Sequence, residues 1–239
     1  MEIKKTIFVG DTHGCIEEFD ELVKKLNYNP QEDRLILLGD LIDRGPESAA
    51  MVRRAREMKL ECIMGNHEYK FIKWYRSQGT KVDVYDRKEH YTQFSDEDIS
   101  YIMNMPSYIE LDDVIAVHAG LKPGIPLSNQ KNDMMYLRYT DSDRKFISLK
   151  KIASLGVQET GAKFWTGFWF GPKSVVYGHN VHDYTDPLIE ERCPGITCYG
   201  LDTGACFGGR LTALIWETKE IVQVQAKKVY YKSDFTIKD

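Results

Sequence analysis

The chain has 239 residues, of which 42% are hydrophobic and 28% charged; 32 Lys and Arg stand against 36 Asp and Glu, a formal net charge of −4. That balance is ordinary for a globular protein and excludes the disordered, collagen-like and disulfide-scaffold classes. It lacks the broad basic field that extended nucleic acid or a membrane surface would require.

The length suits one large domain or two small ones, and one domain over residues 1–239 is the expectation. No apolar run reaches the roughly 20 residues that span a bilayer, and Met1 to Lys5 lacks the apolar stretch of a secretory signal. The five cysteines, Cys15, Cys62, Cys193, Cys198 and Cys206, form no Cys-x-x-Cys pair. Reduced thiols in a cytoplasmic protein is the simplest reading, ahead of a surface Cys193–Cys198 disulfide.

The first third alternates regularly. Thr6 to Val9 reads as a strand ending at Gly10. Ile16, Phe19, Leu22, Val23 and Leu26 repeat with a helical period. Arg34 to Leu38 is a second strand, and a helix follows from Pro46 to Met58. Glu61 to Met64 is a third strand, and Glu68 to Arg76 a third helix. This order predicts a parallel sheet with right-handed crossovers.

The middle is less regular. Gly79 to His90 is polar and reads as a surface excursion. Ser95 and Asp98 have capping-box spacing and open a short helix that stops before Pro106. Tyr108 to Leu111 and Val114 to Val117 flank Asp112-Asp113, a hairpin signal. Leu121 to Asp133 is loop-like, and Lys145 to Leu155 suits a helix. Strands are expected at Ser174 to Tyr177, Thr197 to Leu201, Leu211 to Trp216 and Ile221 to Gln225. The whole reads as an α/β fold with two sheets packed face to face between helices.

Three strand ends carry polar clusters: Gly10-Asp11-Thr12-His13-Gly14, Gly39-Asp40-Leu41-Ile42-Asp43-Arg44-Gly45 and Gly65-Asn66-His67-Glu68. Two later ones add His118-Ala119-Gly120 and Gly178-His179. Ends of parallel strands are where α/β sheets build their sites. Asp, His and Asn together suit a borderline divalent ion such as manganese, iron or zinc. Asp11 and His13, two apart in an extended segment, can face one side. Asp40 has two oxygens with which to bridge two ions, and Asn66, His118 and His179 can complete the second. Of the six histidines, only His90 and His182 fall outside these clusters; both read as surface residues.

These clusters, in this order, resemble the signature of the calcineurin-like metallophosphoesterases, in the branch of the phosphoprotein phosphatases. The resemblance runs from Gly10 to about Gly209. It implies a metallophosphatase β-sandwich of two mixed sheets flanked by helices, with a dinuclear metal site at the strand ends. It implies Asp11 and His13 on one metal, Asp40 bridging, and Asn66, His118 and His179 on the other. Manganese is the expected ion, with iron, zinc or cobalt as alternatives. His67 is implied as general acid, held by Asp43. Arg44 is implied as a phosphate ligand, since guanidinium pairs bidentately with phosphate oxygens; Asn66 also faces the phosphate. Arg138, in Tyr136-Leu137-Arg138-Tyr139, is the candidate for a second phosphate arginine. A metal-bridging hydroxide would attack phosphorus in line, with no covalent intermediate.

The family includes protein phosphatases and dinucleoside-polyphosphate hydrolases, so fold alone does not fix the substrate. Tyr199-Gly200-Leu201-Asp202-Thr203-Gly204 stands where eukaryotic protein phosphatases carry a Ser-Ala-Pro-Asn-Tyr segment, and is similar to bacterial diadenosine tetraphosphatases. A dinucleoside polyphosphate such as diadenosine tetraphosphate is therefore the leading substrate, and a phosphoprotein the second. A non-catalytic binding module ranks last, because every expected ligand is present. Asp202 reads as a supporting residue. The aromatic run Phe164, Trp165, Phe168, Trp169 and Phe170 could stack a nucleobase, but core packing is the favoured reading. Oligomeric state stays open. Two bound cations would add about +4 at one spot, so a phosphate substrate is compatible with an acidic chain.

Overall fold

The computed structural model describes residues 3–79, 88–130, 132–141 and 143–232. Strand β1 (Lys5–Val9) leads through the first polar loop into helix α1 (Ile16–Lys25), which buries Phe19 and Leu22. Its first turn carries Glu17 and Glu18 and its last Lys24 and Lys25, charges that oppose the helix dipole at each end. Strand β2 (Asp33–Leu37) precedes α2 (Ser48–Glu57), and β3 (Glu61–Cys62) precedes α3 (Asn66–Arg76).

Three boundaries here differ from expectation by two residues, the first being α2, which begins at Ser48 rather than at Pro46. β3 stops at Cys62 because the chain turns away: the Ile63 N–H still reaches Leu37 O (2.9 Å), but that of Met64 goes to Pro106 O (2.8 Å). α3 starts at Asn66 because the Glu68 carboxylate reaches back to the Gly65 N–H (3.0 Å), which caps the helix earlier than the apolar pattern suggests.

Helix α4 (Lys88–Tyr91) is followed by α5 (Asp96–Met103). The expected surface excursion, Gly79 to His90, lies in part outside the described residues. Ser95 caps α5 as its spacing predicts: Ser95 Oγ accepts from the Asp98 N–H (3.3 Å) and Asp98 from that of Ser95 (3.1 Å). β4 (Tyr108–Glu110) and β5 (Val114–Val117) form the expected hairpin.

Next come β6 (Tyr139–Thr140), β7 (Phe146–Ile147), α6 (Leu149–Leu155), α7 (Val157–Thr160) and β8 (Lys163–Phe164). The expected helix over Lys145 to Leu155 thus begins only at Leu149, where Ser148 supplies the cap, and Phe146 and Ile147 before it are strand. The chain ends with β9 (Ser174–Tyr177), β10 (Leu188–Cys193), β11 (Ile196–Gly200), β12 (Asp202–Thr203), β13 (Arg210–Ile215) and β14 (Glu220–Gln225).

Two mixed sheets carry the architecture. One has the order β12-β13-β1-β2-β3, with β14 on the far edge of β13; the other runs β10-β11-β9-β5-β4. β1, β2 and β3 are parallel, as are β5 and β9. A third sheet, β7-β6-β8, was not expected; strands of two residues leave no period to read.

Alternation along the strands separates three cores. Ile7 and Val9 face α1, α2 and α3, joining Phe19, Met51, Val52 and Phe71. Phe8 points the other way, into a layer between the sheets with Ile36, Ala116, Val176 and Trp216. Val117, Val175 and Tyr177 face the outer side of the second sheet, where Trp165 and Trp169 cover them. The aromatic run is therefore core at its two tryptophans, although Phe170 is exposed. All five cysteines are free. Among the described residues no helix is long and apolar enough to cross a membrane.

Candidate metal centre and active site

The polar loops after β1, β2, β3, β5 and β9 converge. The backbone is bent to achieve it: His13, Asp40, Asp43, Arg44 and His179 all have positive φ, between 43° and 69°. Left-handed backbone in non-glycine residues costs free energy, and it clusters where function requires a fixed geometry. Gly10 is required for a different reason. A Cβ there would lie 2.5 Å from Leu201 O, so the strand end can approach its neighbour only as glycine.

Two imidazoles are oriented from behind. The His13 Nδ1–H donates to Ile42 O (2.9 Å) and the His118 Nδ1–H to Leu38 O (2.7 Å). With Nδ1 committed to a backbone carbonyl, each Nε2 faces the carboxylates, the usual arrangement behind a metal-binding histidine. His13 Nε2 lies 4.0 Å from Asp11 Oδ2 and 3.8 Å from Asp40 Oδ2. On the other side, His118 Nε2 lies 3.4 Å from Asp40 Oδ1 and 3.1 Å from Asn66 Oδ1. Donor atoms of Asp40, His118 and His179 fall within 4.8 Å of one another, as do those of His13, Asp40 and His67. Asp40 therefore faces both groups. Asp11 also accepts the His179 N–H (3.0 Å), which joins the β1 loop to the β9 loop.

The electrostatics are those of charges buried together. Burial, then the neighbouring Asp202, pushes the Asp11 carboxyl well above its usual range. His13 and His179 are driven well below theirs, by burial first and then by Arg44 and Arg138 respectively. For His118 burial acts downward, but the charge of Asp40 outweighs it and raises the imidazole to about 10. Buried carboxylates this close repel one another unless a cation lies between them.

His67 and Asp43 form a second unit. His67 Nδ1–H donates to Asp43 Oδ2 (2.6 Å), and the Tyr91 hydroxyl donates to the same oxygen (3.2 Å). Ser48 Oγ accepts the Asp43 N–H (2.9 Å) and contacts His90 Nδ1 (3.3 Å). His90 is thus half-buried in the support of this turn rather than solvated as expected. His182 is exposed, with Nε2 3.3 Å from the Tyr177 hydroxyl.

Glu68 is the main residue that sequence reasoning passed over. Its carboxylate accepts the N–H groups of Asp40 (2.9 Å), Leu41 (2.8 Å), Ile42 (3.3 Å) and Gly65 (3.0 Å). It clamps the β2 loop to the start of α3. Its place at the third position of a helix was the available signal. For Tyr91 and Ser48 no local signal exists.

Two arginines flank the cluster. Arg44 Nη1 lies 2.7 Å from His13 Nε2, and its guanidinium sits 5.3 Å over the Phe207 ring. Arg138 Nη2 donates to His179 O (2.9 Å). Asp202 is buried beside them and accepts the Gly204 N–H (3.0 Å), a supporting place.

A family model described as calcineurin-like phosphoesterase matches residues 4–209. A protein of Oceanobacillus iheyensis described as bis(5'-nucleosyl)-tetraphosphatase PrpE (asymmetrical) is 28% identical, covering 97% of this chain and 96% of its own. A Bacillus cereus protein of the same description is 29% identical, covering 95% and 96%. The crystal structure of a protein assigned as a diadenosine tetraphosphatase is similar with a TM-score of 0.78, at 24% identity over 93% of each chain.

Proposed function

The chain belongs to the calcineurin-like phosphoesterases, metal-dependent hydrolases of phosphoric esters and anhydrides, and we propose that it cleaves a dinucleoside polyphosphate such as diadenosine tetraphosphate asymmetrically, into ATP and AMP. The names of the relatives that match almost end to end support that substrate.

The observation that carries the hydrolytic reading is the position of Asp40 between two imidazole groups, its Oδ2 toward His13 and its Oδ1 toward His118. The donor set fits two borderline divalent cations, manganese first, with iron, zinc and cobalt as alternatives. Asp11 and His13 would hold one, Asn66, His118 and His179 the other, and Asp40 both. When bound, such a pair activates water and neutralises charge developing on a phosphoryl group.

The remaining roles fall to side chains. Arg44 and Arg138 bind phosphate oxygens, each through the planar fork of a guanidinium. Asn66 can turn its amide N–H toward the same phosphate. Asp43 fixes His67 by its Nδ1–H and stabilises the imidazolium, so that Nε2 carries the proton for the departing oxygen. With a poor leaving group such as an alkoxide, that proton moves to the departing oxygen as the P–O bond breaks and His67 becomes neutral; a nucleotide leaving from an anhydride departs without it. We take residues 1–239 as one domain and place it in the cytoplasm, in keeping with its free cysteines.

The test is product analysis on protein stripped with a chelator and reloaded with manganese. It is offered diadenosine tetraphosphate, a phosphoserine peptide and p-nitrophenyl phosphate. Production of ATP and AMP supports the proposal. Two ADP would move the scissile bond to the centre of the chain of phosphates. Preferential turnover of the peptide would make the substrate a phosphoprotein. A protein inert to all three would be a binding module.

A further inference from the structure

The turn that carries Phe207 is clasped between two tyrosine-bearing segments. On one side the chain after β14 runs back across it. The Ala226 N–H donates to Gly209 O (2.9 Å), and the N–H groups of Tyr230 and Tyr231 both donate to Cys206 O (3.0 and 2.9 Å). The buried Glu18 in α1 anchors this strap, accepting the Lys227 N–H (2.9 Å) and the Tyr230 hydroxyl (2.7 Å) at Oε1. The fit is close: a Cβ at Gly208 would lie 2.8 Å from Val229 Cγ2. On the other side is Tyr184, five residues beyond His179 in the sequence; a Cβ at Gly204 would lie 2.8 Å from its ring.

Both segments hold an aromatic ring out to solvent at this turn. Tyr231 is 43% exposed, with its ring 6.0 Å from Phe207 and edge-to-face. Tyr184 is 53% exposed. Phe207 in turn lies beneath the Arg44 guanidinium. A pinned backbone, an exposed aromatic face and an adjacent phosphate-binding cation are the parts of a nucleotide site. Aromatic faces stack any nucleobase, and a ring whose backbone is already ordered loses little entropy in doing so. The aromatic run near Trp165 cannot serve this purpose through its tryptophans, which are spent on the core beneath the second sheet.

We propose that Tyr231 and Tyr184 form a nucleoside rim, a stacking site for the base of a nucleotide whose phosphate Arg44 holds. The proposal rests on the reading of the substrate as a dinucleoside polyphosphate and says what lets the site prefer it. Phe207 supports the rim and the arginine together. Selectivity for a nucleotide over a bare phosphate ester thus comes from residues that touch neither the cations nor the scissile bond.

The test compares kcat/KM for diadenosine tetraphosphate with kcat/KM for p-nitrophenyl phosphate in the unmodified, manganese-loaded protein and in Tyr231→Ala, Tyr184→Ala and Tyr231→Trp. The ratio of the two is independent of the fraction of each variant that folds. Each alanine variant is expected to lower the ratio by about five- to a hundredfold, chiefly through KM for the dinucleotide, the size expected for loss of one base stack. Tyr231→Trp keeps the ratio. If the unmodified protein cleaves both substrates and the alanine variants leave the ratio unchanged, the rim is overturned and the substrate stands. If the unmodified protein turns over p-nitrophenyl phosphate but not the dinucleotide, the substrate reading fails and takes the rim with it.

Discussion

Nδ1 of His67 lies 2.6 Å from Oδ2 of Asp43, the shortest route by which a charge on that carboxylate can steady a protonated imidazole. The consequence depends on the leaving group. An alkoxide needs a proton as it departs, whereas a nucleotide leaving from an anhydride does not. His67→Asn should therefore slow hydrolysis of alkyl phosphate monoesters by about 10²- to 10⁴-fold, the usual weight of a general acid. Cleavage of diadenosine tetraphosphate should fall by less than about tenfold. Equal losses in steady-state kinetics on the two substrates would remove His67 from the role of acid.

Arg44 combines a charge with a planar fork that lysine lacks. Arg44→Lys should lower kcat/KM by roughly ten- to a hundredfold, the cost of a charged bidentate contact. Thermal stability should hardly move, because the side chain is half-buried at the edge of the cluster. Initial rates together with a melting curve check both halves. An unchanged kcat/KM would place the phosphate elsewhere.

Glu68 is fully buried and accepts four backbone N–H groups across the β2 and β3 loops. Glu68→Gln puts an amide N–H where an acceptor stood, against buried donors. A loss of about 3 kcal/mol or more is expected in urea unfolding, since buried donors are left unsatisfied. Turnover should fall further than stability alone explains, because the same bonds hold the Asp40 backbone.

Gly120 follows the His118 loop and packs on the indole of Trp165. A Cβ there would lie 2.6 Å from Trp165 Nε1 and 2.7 Å from Cδ1. Trp165 is fully buried and has no room to give. Gly120→Ala should cost about 1–3 kcal/mol, as overpacking does. Gly167→Ala, where a Cβ meets nothing within 4 Å, should change stability by no more than about 0.5 kcal/mol. Paired urea titrations decide it.

The parallel strands β1, β2, β5 and β9 were readable because each is an apolar run closed by glycine or a polar turn, and parallel strands buried on both faces carry such runs. The residues of the central cluster were readable for the same reason: they stand at strand ends, where a short motif fixes the local turn. β10 was not. Its sequence, Leu-Ile-Glu-Glu-Arg-Cys, is that of a charged edge strand, and Ile189 is half-exposed on it. The supports were least readable of all. Tyr91 reaches Asp43 across 48 residues, and Tyr230 reaches Glu18 across 212. No local period or spacing encodes contacts of that separation; the fold makes them. Phe207 is the same case, since its place under Arg44 depends on β13 pairing beside β1 and on the strap that Glu18 of α1 anchors.

Manganese bound per chain at saturation reports whether Asp40 joins two cation sites. Elemental analysis of the unmodified protein, dialysed from excess metal, should find about two ions per chain. Asp40→Asn should hold fewer than one, since each site loses a charged ligand, and its hydrolytic activity should vanish with the metal. Two tightly held ions in Asp40→Asn with turnover intact, or none in the unmodified protein, would mean that Asp40 bridges no pair of cations.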